Sequence, residues 1–501
     1  MERYKKLFFI LLITTTLLRL SVVGEIGLGD DEAHYFAWSR FLGLSYFDHP
    51  PMVAYLIAVF TKIGGINEFS IRIGSVIFFF FVSIFVFLLA KRIFNDDRVA
   101  FFSVLLLNIT PVFTVVEGML MLPDAPLGLF WVITLYLLYR AIKEEKALLW
   151  CLAGCMAGLG LLSKYNAIFL FPSTLLFLLF SKKNRFWLTR KEPYISLAIA
   201  LLIFIPVIIW NIQNGWASFG FQLSRSYGSN FEFSPEWFAV GLVGQMAYIS
   251  PFLFFASIYA IIVGGYRGIV KQDDKCLFLF SFSIVILLFF AGLSFFKKVL
   301  PHWPTLGFVT AFILLPKLTL ELFEKKSTNF RKRLFVATYL TIITAFLLSL
   351  VVPVQALFKA IPLPAKIDRT TDLYAWPEAG ERILEIYSKM SQQNKTFVFT
   401  HRPVLASHIL FSTRNKFRVY CLNDYLDQYD FWSGPDGFLG GNAILLSDDR
   451  YNIDPRKVYK DIFSYIEAEP PMKIYIKGKH IRTFFIYKCY NYNPSNSKSI
   501  R

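Results

Sequence analysis

The sequence predicts a polytopic α-helical membrane protein with a C-terminal α/β domain outside the membrane. Of its 501 residues, 55% are hydrophobic and 17% are charged, against roughly 45–50% and 25% in soluble domains. Apolar segments of bilayer-spanning length recur over roughly the first 350 residues. They end at a proline-bearing linker, after which charge rises and apolar runs shorten.

About eleven segments are long enough to cross a bilayer as helices. The first, 7–23, follows a basic N-terminus as in a signal peptide, but lacks a small-residue cleavage site, so we predict a retained span. The others are predicted at 71–90, 99–116, 126–141, 147–163, 166–180, 194–211, 238–263, 276–296, 303–320 and 334–352. They define a membrane domain over 1–352, with a first outer loop at 24–70.

Basic residues fall on alternate loops, as at Lys91 and Arg92, and again at Lys182, Lys183 and Arg185. Such clusters mark cytoplasmic loops, so the N-terminus is predicted to be cytoplasmic. An odd number of spans then places the C-terminal region outside. The net charge of +17 is spread among these loops, which argues against nucleic acid and favours anionic membrane lipid as a partner.

The predicted outer domain, 353–501, alternates helical and strand-like patterns. Helices are predicted at 376–392, 403–411 and 455–467, and strands at 396–400, 417–422, 443–446, 474–476 and 483–490. The five cysteines form no disulfide framework. Only Cys421 and Cys489 lie in this domain, and we predict that they stay unpaired, although a disulfide there remains an alternative.

The first outer loop contains a stretch rich in carboxylates, histidines and aromatic residues, 29–51. Asp31 and Glu32 open a predicted amphipathic helix lying in the headgroup layer, and a second helix follows the prolines after His49 and ends at Gly64. Carboxylates and histidines at a membrane boundary are costly unless they bind or react. The alternative is helix capping and ordinary solvated loop charge.

Further ionisable residues gather on the same predicted side. Asp124 lies in a very short loop, Lys164 lies between two spans, and Lys298 and His302 precede another. Acids and bases meeting at one membrane face predict a site for a lipid-linked anion, in which cations hold a phosphate. The alternative for the cations is snorkelling towards headgroups.

These motifs resemble those of the GT-C fold membrane glycosyltransferases that use polyprenyl-phosphate sugars. More narrowly, the chain resembles the bacterial family related to protein O-mannosyltransferases and to the lipid A aminoarabinose transferase. The motifs are Asp-Asp-Glu-Ala-His-Tyr at 30–35, Tyr-Phe-Asp-His-Pro-Pro at 46–51, Leu-Pro-Asp-Ala-Pro at 122–126, Leu-Ser-Lys-Tyr at 162–165 and Pro-His-Trp-Pro at 301–304.

The resemblance implies a role for each motif. Asp31, with Glu32 beside it, is the expected catalytic carboxylate, and Asp124 is expected to support it. Asp48 corresponds to a metal ligand in the aminoarabinose branch, where a glutamate followed by lysine stands in place of Asp48-His49. A divalent metal therefore stays open, and the sequence requires none. The expected donor-phosphate residues are Lys164, His302, His49 and Lys298, and the expected substrate-binding residues are His34, Tyr35, Tyr46 and Trp303.

The resemblance implies a location in the bacterial inner membrane, with a cytoplasmic N-terminus and with 353–501 as a periplasmic domain. The resulting hypothesis is an inverting glycosyltransferase of that membrane. It moves a hexose or pentose from a polyprenyl-phosphate donor to lipid A, lipopolysaccharide or another envelope glycan on the outer face. Protein O-glycosylation is the alternative acceptor chemistry. A transporter or flippase for a lipid-linked sugar is the alternative class, but it predicts a repeated half and broken, charged helices at the midplane, and the sequence has neither.

Overall fold

The computed structural model describes residues 2–227, 233–325, 327–364, 367–392 and 394–494. The chain divides into two compact units. The membrane unit comprises Met1–Val23, Gly43–Val53 and Arg72–Pro353, and the α/β unit comprises Gly24–Leu42, Ala54–Ile71 and Val354–Arg501. Each unit therefore receives part of the first outer loop.

Helices make up most of the chain. They are α1 (Glu2–Val22), α2 (Asp30–Arg40), α3 (Met52–Gly64), α4 (Glu68–Phe94), α5 (Asp97–Ile109), α6 (Asp124–Glu144), α7 (Ala147–Ser163), α8 (Leu170–Phe180), α9 (Glu192–Gln213), α10 (Ala217–Tyr227), α11 (Pro235–Ile249), α12 (Pro251–Ile269), α13 (Asp274–Ser294), α14 (Leu306–Lys325), α15 (Thr328–Phe358), α16 (Trp376–Ser391), α17 (Pro403–Ser412) and α18 (Pro455–Val458). A π-helical turn at Phe113–Glu117 follows α5, and a 3₁₀ turn at Tyr165–Phe169 precedes α8.

Seven helices of the described chain are long and apolar enough to cross a membrane, namely α4, α6, α9, α12, α13, α14 and α15. Shorter apolar helices include α7 and the run Tyr165–Phe180. The chain is therefore a polytopic helical membrane protein, as predicted. The number of about eleven spans stays a prediction.

Prolines interrupt two of the predicted spans. The span predicted at 238–263 is wrong as a single helix, because α11 ends at Ile249 and α12 begins at Pro251. Between them Ser250 has φ +81°, and a proline disfavours helical geometry in the residue before it. The span predicted at 99–116 likewise breaks after Ile109, just before Pro111.

Ion pairs join the basic loops at one end of the membrane unit. Arg92, after the apolar part of α4, pairs with Glu144 at the end of α6 at 2.8 Å. Lys143 on α6 pairs with Asp274 at the start of α13 at 3.7 Å. Arg267 near the end of α12 pairs with Glu321 near the end of α14 at 2.7 Å. The alternate basic loops of the sequence therefore meet at one end of the helical bundle.

Small residues allow helices α7 and α9 to pack closely. A Cβ added at Gly154 would overlap the backbone carbonyl of Ser196, and one at Gly158 would lie 2.7 Å from Ile203 Cβ. Because backbone atoms cannot move aside as a flexible side chain can, Gly154 permits this contact through its size.

We expect Gly154→Val to destabilise the protein by about 1–3 kcal/mol, because the added methyl groups push α7 away from α9. The midpoint of thermal unfolding in detergent measures this. Gly292→Val on α13 is the matched control, since a Cβ there meets nothing within 4 Å. Equal midpoints for the two variants would contradict the packing role of Gly154.

The α/β unit contains one six-stranded sheet of order β2-β1-β3-β6-β4, with β5 paired to β6. The strands are β1 (Thr396–Thr400), β2 (Val419–Cys421), β3 (Asn442–Asp448), β4 (Phe463–Ala468), β5 (Met472–Ile476) and β6 (Lys479–Tyr492). Strands β2, β1 and β3 are parallel to one another, and β6 runs antiparallel to β3, β4 and β5. Val398↔Ile444 and Leu445↔Tyr487 define the register across the middle of the sheet. This confirms the predicted C-terminal α/β architecture.

One predicted element of this unit is wrong. The helix expected at 455–467 is only the single turn α18, and the chain then forms β4. Pro455 starts a helix as expected, with Asp454 accepting the N–H of Arg456. In β4, however, Phe463 and Ile466 are buried among the aromatic residues of the sheet core, so tertiary burial determines the strand.

The amphipathic helix α2 forms as predicted, but its apolar face is covered by protein. Tyr35, Phe36 and Trp38 are buried, and the ring of Phe36 contacts Phe411 of α17 edge-on at 5.2 Å. Helix α17 therefore provides the apolar partner of α2, and the location of α2 in the headgroup layer stays a prediction. The second loop helix, α3, ends at Gly64 as predicted, and Gly65 follows with φ +79°.

Candidate active site

A buried ion pair lies at the end of the membrane unit away from the basic loops. Asp124 begins α6, and Lys164 follows the last residue of α7. The Lys164 Nζ donates to Asp124 Oδ1 at 2.7 Å and to Oδ2 at 2.8 Å. The side chains are only 6% and 9% exposed. The two motifs predicted to meet therefore do meet.

Three further ionisable residues surround this pair. His302 and His49 lie within electrostatic range of Asp124, and Glu117 lies within range of both Asp124 and Lys164. Glu117 is 3% exposed. Its carboxylate faces Gly128, where an added Cβ would lie 2.7 Å from Glu117 Oε2. The cluster therefore combines two carboxylates, one ammonium group and two imidazoles.

Side-chain hydrogen bonds hold the segments that carry these groups. Asn166 Nδ2 donates to the carbonyl of Trp303 at 3.1 Å, which ties the Pro-His-Trp-Pro segment to the end of α7. The Gln222 side chain donates to the carbonyl of Asp48. The Tyr46 hydroxyl accepts the N–H of Gly43 at 3.2 Å. Tyr46 therefore stabilises the loop to which it belongs, and its predicted role in substrate binding stays a prediction.

The cluster has the composition of an anion site. An ammonium group has three N–H donors, and two of those of Lys164 point at Asp124. The predicted contact of Lys164 with a donor phosphate stays a prediction. His49 and His302 add donors that gain positive charge on protonation. Lys298, also predicted to bind phosphate, is exposed.

The other predicted catalytic residues belong to the α/β unit. Asp31 is exposed on the first turn of α2. Glu32 is 1% exposed, and its Oε2 accepts the N–H of Gly29 at 3.1 Å, which caps α2. His34 Nδ1 lies 3.4 Å from the Ser407 hydroxyl of α17. Tyr35 contacts Trp38 edge-on at 4.9 Å. Glu32 thus caps α2, and its predicted catalytic role stays a prediction.

Sequence reasoning missed the residue that anchors α2. The Asp30 carboxylate accepts from His408 Nε2 at 2.9 Å and from Arg450 Nη1 at 3.2 Å. Arg450 also donates to Asp372 at 2.9 Å and to Asp448 at 2.7 Å. These contacts hold the first turn of α2, which carries Asp31, on the end of β3 and on α17. The partners are 378 and 420 residues away in sequence, so no local pattern indicates them.

A stacked aromatic residue completes this anchor. The rings of Trp376 and His408 are 3.8 Å apart and nearly parallel, at 3°. The guanidinium of Arg482 lies 4.7 Å from the Trp376 ring and donates to Asp372 at 2.9 Å. Three carboxylates face two guanidinium groups and one imidazole. The first turn of α2 is therefore fixed by charge-assisted hydrogen bonds in a largely buried setting.

The pKa of His408 is lowered from its ordinary value of 6.5, chiefly because burial disfavours the imidazolium. Burial alone would raise the pKa of Asp30, but the hydrogen bond from His408 and the neighbouring positive charges outweigh it and lower this pKa. Asp30 is therefore ionised at neutral pH, and a neutral His408 donates its Nε2–H.

We expect the α/β unit to lose stability as the pH falls below about 6.5. The unfolded chain then protonates His408 while the folded chain resists it, so the unfolded state binds more protons, with a limit of about 1.4 kcal/mol per pH unit. Thermal unfolding midpoints at pH 7.5 and 5.5 measure the loss. His408→Gln keeps a donor near the Nε2 position without titrating, so it should show a smaller pH dependence. An identical loss in both proteins would contradict the role of His408.

The predicted role of Asp48 as a metal ligand stays a prediction. Among the described residues, no group of three or more His, Cys, Asp or Glu side chains is arranged to hold a metal ion. Asp48 is half-buried and lies within electrostatic range of the Tyr165 hydroxyl. All five cysteines are free thiols, including Cys421 and Cys489.

Parts of this chain are similar in sequence to known proteins. Residues 48–210 match the family model described as dolichyl-phosphate-mannose-protein mannosyltransferase. The chain is 25% identical over 298 residues to the lipid A galacturonosyltransferase RgtD of Rhizobium johnstonii, covering 57% of this chain and 59% of that protein. It is 31% identical over 174 residues to the undecaprenyl phosphate-alpha-4-amino-4-deoxy-L-arabinose arabinosyl transferase of Pseudomonas aeruginosa, covering 33% and 31%. The chain thus spans less than two thirds of the length of either relative.

Solved structures share the fold over nearly the whole chain. The crystal structure of ArnT from Cupriavidus metallidurans in the apo state superposes with a TM-score of 0.62 at 13% identity, covering 97% of this chain and 98% of that one. The apo oligosaccharyltransferase of Archaeoglobus fulgidus gives a TM-score of 0.55 at 13% identity, covering 88% and 69%. The resemblance predicted from the motifs is confirmed: the chain has the fold of ArnT and is similar in sequence to a lipid A galacturonosyltransferase and to an undecaprenyl phosphate arabinosyl transferase.

Proposed function

We propose that this protein is an inverting glycosyltransferase of the bacterial inner membrane. It transfers a hexose or pentose from a polyprenyl-phosphate donor to lipid A, lipopolysaccharide or another envelope glycan. The observation that carries the proposal is the buried Asp124–Lys164 pair with His49 and His302 beside it. A mixed cluster of this kind at a helix end suits a phosphate-bearing ligand.

The proposed orientation places this cluster on the periplasmic side. Helix α6 begins in the cluster at Asp124 and ends among the basic loops at Glu144. Its 21 residues span about 30 Å, which is the thickness of the hydrocarbon core. Since basic loops face the cytoplasm, the cluster faces the periplasm. The N-terminus is then cytoplasmic, and the α/β unit is periplasmic.

The location of the site favours a lipid-linked donor. Nucleotide sugars are not available outside the cytoplasmic membrane, so an enzyme acting there needs an activated sugar that the bilayer carries. A sugar on a polyprenyl phosphate places its phosphate at the membrane boundary, at the level proposed for Lys164. The solved structure of ArnT from Cupriavidus metallidurans bound to undecaprenyl phosphate shows that the fold accepts such a lipid.

The proposed step is a single displacement. The acceptor hydroxyl oxygen attacks the anomeric carbon as the bond from that carbon to the phosphate oxygen breaks. The proton of the hydroxyl passes to Asp31, and polyprenyl phosphate leaves with the electron pair. Lys164, His49 and His302 stabilise the charge that develops on the phosphate. Attack opposite the leaving group inverts the anomeric centre.

The relatives indicate two acceptor classes. RgtD is by its name a lipid A galacturonosyltransferase, which favours a glycolipid acceptor. The matched family model is described as a protein mannosyltransferase, which supports a protein hydroxyl as the second candidate. We favour the glycolipid because the RgtD alignment covers 57% of the chain, whereas the family model matches residues 48–210 only.

Mass spectrometry of envelope lipids, glycans and proteins from cells with and without the protein tests this proposal. We expect a glycolipid that gains the mass of one hexose, pentose or derivative only when the protein is present. Cells that produce Asp124→Asn should lack the added mass. A mass gain on protein alone would select the second candidate. Unchanged masses with an altered transbilayer distribution of carrier lipid would replace the enzyme with a flippase.

A further inference from the structure

A cavity of about 280 Å³ lies in the α/β unit beside the edge strand β2. Residues of β2, of the segment 429–436 and of the end of β6 line it. It is concave, close to the ~300 Å³ lower bound of small-molecule sites, and combines aromatic rings with a few charged groups. None of its lining residues belongs to the cluster around Asp124.

Arg418 provides a preorganised cation in this cavity. Its guanidinium lies 4.8 Å from the centre of the Phe41 ring and 5.1 Å from that of the Tyr420 ring. Within the part of the chain that the structure describes, it forms no ion pair and no side-chain hydrogen bond. A guanidinium held by aromatic rings loses little freedom on binding, and its fork of N–H donors matches a carboxylate or a phosphate.

Trp432 gives the cavity a flat apolar surface. Its ring packs edge-on against Tyr429 at 5.0 Å and lies tilted against Phe41 at 4.7 Å. The side chain remains only partly buried and lines the cavity. Two neighbouring rings fix the indole, and part of its surface stays accessible. Such a rigid aromatic surface suits the apolar C–H face of a pyranose ring, because stacking on it has little entropic cost.

Two carboxylates complete the polar lining. Asp430 accepts the N–H of Asp427 at 2.7 Å through Oδ2, so its Oδ1 remains for a ligand. Asp436 is exposed and lines the same cavity. Carboxylate oxygens accept only, and charge-assisted bonds from ring hydroxyls are stronger than neutral ones. A ligand that satisfies all four groups therefore has hydroxyls, an apolar face and an anionic substituent.

We propose that this cavity binds a pyranose ring of the acceptor that carries a carboxylate or a phosphate. The ring stacks on Trp432, the hydroxyls donate to Asp430 and Asp436, and the anionic substituent pairs with Arg418. The assignment of this saccharide to the acceptor rests on the proposed function, but the existence of the binding site does not.

Saturation-transfer NMR on the full-length protein in nanodiscs tests the site, with N-acetylglucosamine, its 6-phosphate and glucuronic acid as probes. We expect transfer to the ring protons of at least one anionic probe and weaker transfer to the neutral one. The phosphate and carboxylate arms distinguish the two anionic substituents. Arg418→Gln should weaken binding of the anionic probe about tenfold, the effect of a lost charge-assisted pair. Asp436→Asn should weaken every probe, and its exposed side chain makes it the variant that leaves packing intact.

Arg414→Gln and Asp424→Asn are the matched controls, since both side chains are exposed and neither lines the cavity. The NMR measurement is repeated in Asp124→Asn, where probe binding should persist although the sugar-transfer activity is lost. Binding that depends on Arg418 in a protein without transferase activity would uphold the site and defeat the proposed function. The site would be overturned if no probe received saturation transfer from the protein. It would also be overturned if wild type, Arg418→Gln and Asp436→Asn bound the probes equally.

Discussion

Replacing Asp31 with asparagine is expected to lower the rate of sugar transfer about 10²–10⁴-fold, which is the usual contribution of a general base. The protein should still fold, because the carboxylate is exposed on the first turn of α2, while Asp30 anchors the helix and Glu32 caps it. Transfer from a polyprenyl-phosphate sugar to an extracted glycolipid acceptor measures the rate.

Glu25→Gln is the matched control, because it removes one exposed carboxylate from the segment that precedes α2 and should leave the rate unchanged. The size of the loss also identifies the acceptor. A hydroxyl must lose its proton, whereas a phosphate acceptor is already ionised, so with a phosphate the loss should be smaller. A full rate in Asp31→Asn with a hydroxyl acceptor would refute the role of Asp31.

The second large effect is expected at the buried ion pair. Lys164→Met leaves the Asp124 carboxylate in a largely buried position without its ammonium partner, which should destabilise the protein by about 3–5 kcal/mol. Thermal inactivation in detergent measures this, and the exposed Lys182→Met is the matched control.

Combining Lys164→Met with Asp124→Asn separates stability from catalysis. The double variant carries no buried charge at the pair and should regain most of the stability that Lys164→Met loses. It should remain inactive, because both the cation for the phosphate and the supporting carboxylate are gone. Recovery of activity together with stability would show that the pair has only a structural role.

Much of the architecture could be predicted from the sequence because local patterns determine it. Helix α7 has the predicted bounds, since Lys146 ends a basic loop and Lys164 ends the apolar run. Strand β1 also has its predicted bounds. The strand at 463–468 could not be found in this way, because burial against the sheet core decides it. The break at Ser250 was hidden by apolar residues on both sides of Pro251.

The site was predictable to the extent that its residues occur in motifs. The pairing of Asp124 with Lys164 follows the prediction that acids and bases of the short loops converge. The two hydrogen bonds from Lys164 to Asp124 could not be predicted, because motif spacing does not determine side-chain geometry. The anchoring of Asp30 by His408 and Arg450 depends on tertiary folding alone. The convergence of Asp31 with the Asp124 cluster stays a prediction.

The paired basic loops bear on how the nascent chain enters the bilayer. Arg92 is synthesised 52 residues before its partner Glu144, and Arg98 is synthesised 226 residues before Glu324. Arg98 also has Asp96 two residues before it, so Arg92 is the clearer case. During insertion Arg92 lacks its folded partner, and in the proposed orientation its unpaired charge favours retention of the loop on the cytoplasmic side. Once Glu144 pairs with it in the folded protein, the same guanidinium has less charge to offer to anionic lipid.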